Sequence, residues 1–151
     1  MVFKIKKFYV VISPFVFLSI IVLTLKCKLA KMTFGFCALV LHEVGHIITA
    51  YALGEQISIL KILPIGFSCK LKNQTQISEG KMLKILIAGP AVNFITAGLF
   101  LYWTIDFATI NFLVGVFNLL PIYELDGMRI FNIVKKWLQI VIFMVKYLVK
   151  N

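Results

Sequence analysis

The feature that most constrains this chain is a series of long apolar stretches: Phe8–Leu25, Met32–Gly54, Met82–Trp103 and Phe107–Ile122. A helix that crosses about 30 Å of hydrocarbon needs roughly 20 mostly apolar residues. Of the 151 residues, 61% are hydrophobic and only 15% are charged, which is more apolar surface than a soluble domain of this size buries. The sequence therefore predicts a small integral membrane protein.

The arrangement of the stretches predicts an all-α integral membrane protein with about four to five transmembrane helices, in a single domain spanning residues 1–151. The polar segment Glu55–Lys81 contains a polar/apolar alternation, which predicts a short β-hairpin or re-entrant segment between the second and third helices. The last stretch, Ile130–Lys150, has lysines among its apolar residues. A fifth span and an interfacial helix both remain open for it.

The net charge of +10 comes from cations placed between the apolar stretches, so no nucleic-acid partner is expected. The segment Glu55–Lys84 is rich in lysine, whereas the connection after Trp103 has neither lysine nor arginine. The positive-inside rule predicts that Glu55–Lys84 is cytoplasmic, as is the N-terminus. Three lysines after the first stretch conflict with this orientation: Lys26, Lys28 and Lys31. The three cysteines form no paired motif and predict no disulfide framework.

The second stretch contains the run His42-Glu43-Val44-Gly45-His46, which holds the only two histidines of the chain. Residues four apart lie on one face of a helix, so both imidazoles can bind one Zn²⁺. Glu43 is close enough to take a proton from a water at that metal. The alternative is that the histidines are polar packing residues, but ionisable groups inside a membrane span favour a functional site.

A catalytic zinc site usually has a third protein ligand. Two acids follow the proline break at Pro121, and from the residues alone the third ligand is either Asp126 or Glu124.

Three segments together resemble the signatures of the site-2 protease family, the intramembrane zinc metalloproteases of peptidase family M50. They are His42–His46, Ala88–Phe94, and Asn118–Pro121 followed by Leu125–Gly127. The resemblance covers about residues 32–130, and the three motifs stand in the order of the family. The size of the chain and its stretch before the first motif look most like the stage IV sporulation protein FB branch.

The resemblance implies a role for each matched residue. The zinc ligands would be His42, His46 and Asp126, which favours Asp126 over Glu124. Glu43 would be the general base. Asn118 would hold the substrate or the developing oxyanion.

Substrate binding is also expected at three further residues. Asn93 lies in the motif that packs beside the site in the family. Gly66 and Phe67 lie in the Pro64–Leu71 stretch, whose strand edge is predicted to hold the substrate extended.

The implied function is zinc-dependent intramembrane endopeptidase activity with one Zn²⁺ per chain, in regulated intramembrane proteolysis. The expected substrate is a membrane-embedded or membrane-tethered protein, such as a pro-protein or a tethered transcription regulator. The expected location is a bacterial cell membrane, multi-pass in the lipid bilayer, with the site toward the cytoplasm. The alternative is a catalytically silent membrane scaffold or metal-binding membrane protein, and oligomerisation stays open.

Overall fold

The computed structural model describes residues 2–5, 8–12, 29–63, 66–72, 74–122 and 125–150. These residues are mostly helical, with four strands and four helices in the described ranges. In chain order they are β1 (Val2–Ile5), β2 (Phe8–Ile12), α1 (Leu29–Ala52), β3 (Ile57–Leu63), β4 (Gly66–Leu71), α2 (Glu79–Phe100), α3 (Ile105–Leu119) and α4 (Asp126–Lys150). A short 3-10 helix, Gln74–Gln76, precedes α2.

The four strands form one sheet in the order β1-β2-β3-β4, so that β1 and β4 are its edges. β2 runs parallel to β3, with Tyr9 opposite Ile59, and the two outer pairs are antiparallel. The strand β2 corrects the expectation of an all-α chain with a first span beginning at Phe8. Its residues are aromatic or β-branched, and a short apolar run of that kind suits a buried strand as well as a helix. The rest of that predicted span, residues 13–25, lies outside the described residues.

The segment between α1 and α2 contains the antiparallel pair β3 and β4. Lys61 lies opposite Ser68, and the register shifts between Ile57 and Ile59. Residues 64 and 65, which connect the two strands, lie outside the described part of the chain. Because β3 directly follows α1, the sheet lies at the C-terminal end of that helix, and β3 and β4 belong to the lysine-rich segment Glu55–Lys84.

α1 ends in a glycine turn that satisfies its last carbonyl groups. Gly54 has a φ of 80°, a conformation that glycine adopts without a steric penalty. The amide of Glu55 donates to the carbonyl of Ala50 at 2.9 Å, and the amide of Gly54 donates to that of Tyr51 at 3.0 Å. This pair of bonds is the Schellman arrangement, and it turns the chain directly into β3.

Small residues let the first three helices pack against one another. A Cβ at Gly45 of α1 would lie 2.7 Å from the carbonyl oxygen of Ala88 on α2 and 2.9 Å from a methyl group of Val92. A Cβ at Gly115 of α3 would lie 2.9 Å from the ring of Phe94. The three helices therefore approach closely enough for their backbones and polar side chains to meet.

The helices bury several polar side chains between them and expose many large apolar ones. The largest fully buried side chains in the described part are Asn93, Asn111 and Pro90, whereas Ile95 and Leu99 on α2 are 63% and 65% exposed. A soluble protein would bury the second pair and expose the asparagines. α1 and α2 are the two described helices that are long and apolar enough to cross a membrane, and α3 is a shorter apolar helix. The number of spans beyond these stays a prediction.

The closeness of α1 and α2 predicts that Gly45→Ala destabilises the protein, because the added methyl group would collide with the backbone at Ala88. We expect a loss of about 1–3 kcal/mol, measured by thermal unfolding in a mild detergent. Gly35→Ala is the matched control, since a Cβ at Gly35 on the same helix would meet nothing within 4 Å. The control should leave the stability unchanged or raise it by up to about 1 kcal/mol. Equal melting temperatures for both variants would contradict the packing.

Candidate metal centre

α1 carries three ionisable side chains on its inner surface. His42, Glu43 and His46 are each exposed by less than a tenth, at 6%, 6% and 8%. Helical periodicity places His42 and His46 one turn apart on the same face, and their Nε2 atoms are 3.0 Å apart. The two rings meet edge to face, with their centroids 4.7 Å apart.

The break between α3 and α4 brings Asp126 to these histidines. Leu120 is extended, as expected for a residue before proline, and α4 begins at Asp126. Gly127 makes this turn possible, because a Cβ there would collide with the carbonyl groups of Leu119 and Leu120. Oδ2 of Asp126 consequently lies 3.0 Å from Nε2 of His42 and 2.9 Å from Nε2 of His46.

The outer nitrogens of the two imidazoles are held by acceptors. Nδ1 of His46 donates to the backbone carbonyl of Ile85 at 2.7 Å, and Nδ1 of His42 donates to Oδ1 of Asn93 at 2.7 Å. A backbone carbonyl can only accept, so His46 must carry its proton on Nδ1. Asn93 presents its oxygen to His42 because its Nδ2 donates to the carbonyl of Ala38 at 2.9 Å. In the neutral form, both rings therefore direct an unprotonated Nε2 inward.

Three lone pairs thus converge on one point, two from imidazole nitrogens and one from a carboxylate. The possible ligand atoms of His42, His46 and Asp126 all lie within 4.8 Å of one another. With both imidazoles neutral, no proton lies between these atoms, and a cation among them would relieve their mutual repulsion. Their separations of 2.9–3.0 Å are near the edge of about 3.3 Å expected for ligands around a tetrahedral Zn²⁺. Two nitrogens and one carboxylate oxygen, with an open position left over, are typical of a catalytic zinc site.

Gly89 on α2 provides the space for both imidazoles. A Cβ at this position would come within 2.8 Å of Nε2 of His42, and closer still to the ring of His46. The glycine of the Ala88–Phe94 motif is therefore explained by its contact with the histidines rather than by a turn.

Glu43 has an unusual environment for a carboxylate. Its Oε1 is buried and has no hydrogen-bond partner among the residues that the structure describes. A buried polar atom without a partner costs free energy, so such atoms are few in native proteins, and a functional role is one explanation for them. The position of Glu43, one residue after His42, suits a group that accepts a proton from water at the metal.

The other predicted site residues are placed as follows. Asn93 is fully buried and contacts His42 directly. Asn118 is half-buried near the end of α3, and its Nδ2 donates to the carbonyl of Val114 at 2.9 Å. Gly66 and Phe67 begin β4, opposite Leu63 and Ile62.

Glu124, the alternative third ligand, lies outside the described residues. The functional roles of Glu124 and of the four residues above stay predictions.

Cys69 on β4 packs against the buried apolar cluster that contains Ala50 of α1. Burial and the negative charge of Glu43 raise the pKa of this thiol to about 12. The thiol is therefore protonated at neutral pH, in which form it is a poor zinc ligand. β4 packs against α1, the helix that carries the histidine motif.

Two groups that support the histidines, one directly and one through Asn93, were not singled out in the sequence. The carbonyl of Ile85 is a backbone group, which no sequence pattern reveals. Asn111 is fully buried and bonds to Asn93. The sequence could have indicated Asn111, because it is an amide within the apolar run Phe107–Ile122. Polar side chains in such runs commonly form hydrogen bonds between helices.

Known proteins are similar to this chain in both sequence and fold. The family model described as Peptidase family M50 matches residues 32–108. A zinc metalloprotease of Methanocaldococcus jannaschii is 34% identical over 110 residues, which are 63% of this chain and 31% of that protein. The chain thus spans about a third of the length of that curated relative. The solved site-2 protease from the same organism superposes with a TM-score of 0.72 at 26% identity, over 89% of this chain and 70% of that one.

The contact of Gly89 with both imidazoles predicts that Gly89→Ala weakens zinc binding, because the methyl group would displace the rings. We expect the affinity for zinc to fall about tenfold or more, measured by competition with a chelator. Gly98→Ala is the matched control on the same helix, since a Cβ there would meet nothing within 4 Å. Equal zinc affinity in the two variants would contradict the geometry of the centre.

Proposed function

Because the chain belongs to peptidase family M50, we propose that it is a zinc-dependent intramembrane endopeptidase. The observation that carries the proposal is the convergence of three possible ligand atoms beside a buried carboxylate oxygen, Oε1 of Glu43, that has no partner among the described residues. The similarity to a zinc metalloprotease and to a site-2 protease supports the same activity.

His42, His46 and Asp126 would hold one Zn²⁺ per chain, and Asp126 rather than Glu124 would be the third ligand. The donor set supports this choice, because Oδ2 of Asp126 is about equally far from both imidazole nitrogens. When bound, the metal lowers the pKa of water and polarises a peptide carbonyl.

Glu43 would act as the general base. Its buried carboxylate accepts a proton from the attacking water and returns it to the nitrogen of the leaving amine. The absence of a partner for Oε1 among the described residues supports this role, since that oxygen is left to bond to water or substrate.

Asn118 would stabilise the negative charge that develops on the carbonyl oxygen. Its Nδ2 carries two hydrogens, and the bond to the carbonyl of Val114 uses one of them. The second hydrogen is available to an oxyanion.

The substrate would be a membrane-embedded or membrane-tethered protein, cleaved in regulated intramembrane proteolysis. A helical substrate hides its carbonyl groups, so it must be extended before attack. The edge strand β4 can pair with such a segment, and Gly66 and Phe67 would form the part of that edge that binds it. The packing of β4 against α1 supports this route to the centre. Asn93 would contribute by keeping His42 in place.

We further propose that the protein is a multi-pass protein of a bacterial cell membrane, with the centre opening toward the cytoplasm. The exposed apolar faces of α1 and α2 support membrane insertion, and the lysines of Glu55–Lys84 support the orientation. α4 would also contact the bilayer, because its apolar side chains, such as Phe143, are largely exposed. Membership of the stage IV sporulation protein FB branch stays a prediction of the sequence.

The proposal predicts that Glu43→Gln lowers cleavage about 10²–10⁴-fold while one zinc per chain is retained, because glutamine fills the same space but cannot take a proton. The assay uses purified protein in mild detergent and labelled single-span peptides with a central Gly-Pro pair. Zinc is measured in parallel by elemental analysis.

Glu55→Gln is the matched control. Glu55 follows the end of α1, and its carboxylate accepts a hydrogen bond from Lys81 of α2. This variant should cleave like the wild type. Full activity in Glu43→Gln would contradict the mechanism. Wild-type protein that binds zinc but cleaves none of the peptides would favour the catalytically silent scaffold.

A further inference from the structure

Asn111 is a buried amide on α3 that belongs to none of the three sequence motifs. It is 0% exposed, as is Asn93 on α2. Nδ2 of Asn93 donates to Oδ1 of Asn111 at 3.0 Å, and Nδ2 of Asn111 donates to the carbonyl of Phe107 at 3.0 Å. The amide thus joins α3 to the pair formed by Asn93 and His42.

The direction of each bond in this chain is fixed from its far end. The carbonyl of Phe107 can only accept, so Asn111 must present its nitrogen there and its oxygen to Asn93. Asn93 must then present its nitrogen to Asn111, and the same nitrogen has a second hydrogen for the carbonyl of Ala38. Both hydrogens of Asn93 are thereby used. Only its oxygen is left for His42.

The consequence reaches the inner nitrogen of His42. Because Oδ1 of Asn93 faces Nδ1 of His42 and can only accept, Nδ1 must carry a proton. In a neutral imidazole with that proton, Nε2 is unprotonated. Rotation of the Asn93 amide by half a turn would set its oxygen against two other acceptors, Oδ1 of Asn111 and the carbonyl of Ala38. Without Asn111, only the carbonyl of Ala38 opposes that rotation. The nitrogen of Asn93 could then face Nδ1 of His42, which would move the proton to Nε2.

We propose that Asn111 is a positioning residue that fixes the amide of Asn93 and, through it, the tautomer and orientation of His42 for zinc. This inference rests on the proposed function, because it assigns His42 to the metal. His46 is outside the chain of amides, since its Nδ1 bonds to the carbonyl of Ile85.

The presence of only two histidines allows a direct test by NMR. Protein labelled with ¹⁵N-histidine contains four ring nitrogens, and each Nδ1–H gives its own signal. In Asn111→Ala, we expect the Nδ1–H signal of His42 to shift or broaden, while that of His46 stays as in the wild type. The affinity for zinc, measured by chelator competition, should fall about threefold to tenfold, less than the 10- to 100-fold typical of a direct partner of a ligand. Asn93→Leu serves as that direct comparison.

A conservative variant separates positioning from packing. In Asn111→Asp, a protonated carboxyl group can accept from Asn93 through one oxygen and donate to the carbonyl of Phe107 through the other. We expect this variant to restore the His42 signal and the zinc affinity to near those of the wild type. Asn111→Leu provides a second variant without an acceptor, in case Asn111→Ala does not fold. The side chains of leucine and asparagine have the same number of heavy atoms.

The proposal is overturned if zinc affinity and the His42 signal are unchanged in the alanine and leucine variants. It is also overturned if His42 and His46 change together, because Asn111 would then support only the packing of the helices. In both cases a wild-type protein that binds zinc and cleaves its peptides would leave the proposed function intact. A wild type that binds no zinc would instead contradict the proposed function, and the Nδ1–H signals of the zinc-free protein would still report on Asn111.

Discussion

The close contact between α1 and α2 is the constraint on which the candidate centre depends. Gly45 removes the side chain that would hold the two helices apart, and Gly89 leaves the space that the imidazoles occupy. At this distance Nδ1 of His46 reaches the carbonyl of Ile85 across the interface. His42 is held by the same approach, through an amide on the opposite helix. The packing of α1 against α2 therefore sets the orientation of both imidazoles at the candidate centre.

The long helices could be predicted because their apolar stretches are too long for a strand. The stretches Met32–Gly54 and Met82–Trp103 overlap the helices Leu29–Ala52 and Glu79–Phe100. The strand Phe8–Ile12 was missed because its five apolar residues continue into the longer apolar stretch Phe8–Leu25, whose length favours a helix. Its parallel partner is about 50 residues away in the chain, and local periodicity carries no information about such a pairing.

The site was predictable to the extent that it depends on spacing along one helix. His42 and His46 are four residues apart, which is enough to place them on one face. The choice between Asp126 and Glu124 could not be made from the residues, because it depends on how the chain turns after α3. Asn111 could be seen only as a polar residue in an apolar run. Its partner is on another helix, and interhelical packing is not encoded in any one segment.

The central claim is that two imidazoles and one carboxylate bind a single zinc ion. X-ray absorption spectroscopy of the zinc-loaded protein in mild detergent tests it most directly, because the spectrum reports the atoms bound to the metal. The account predicts only nitrogen and oxygen neighbours at about 2.0–2.1 Å, with the outer-shell scattering of two imidazoles. A sulfur neighbour at about 2.3 Å, which would come from a cysteine, or the scattering of fewer than two imidazoles would contradict it.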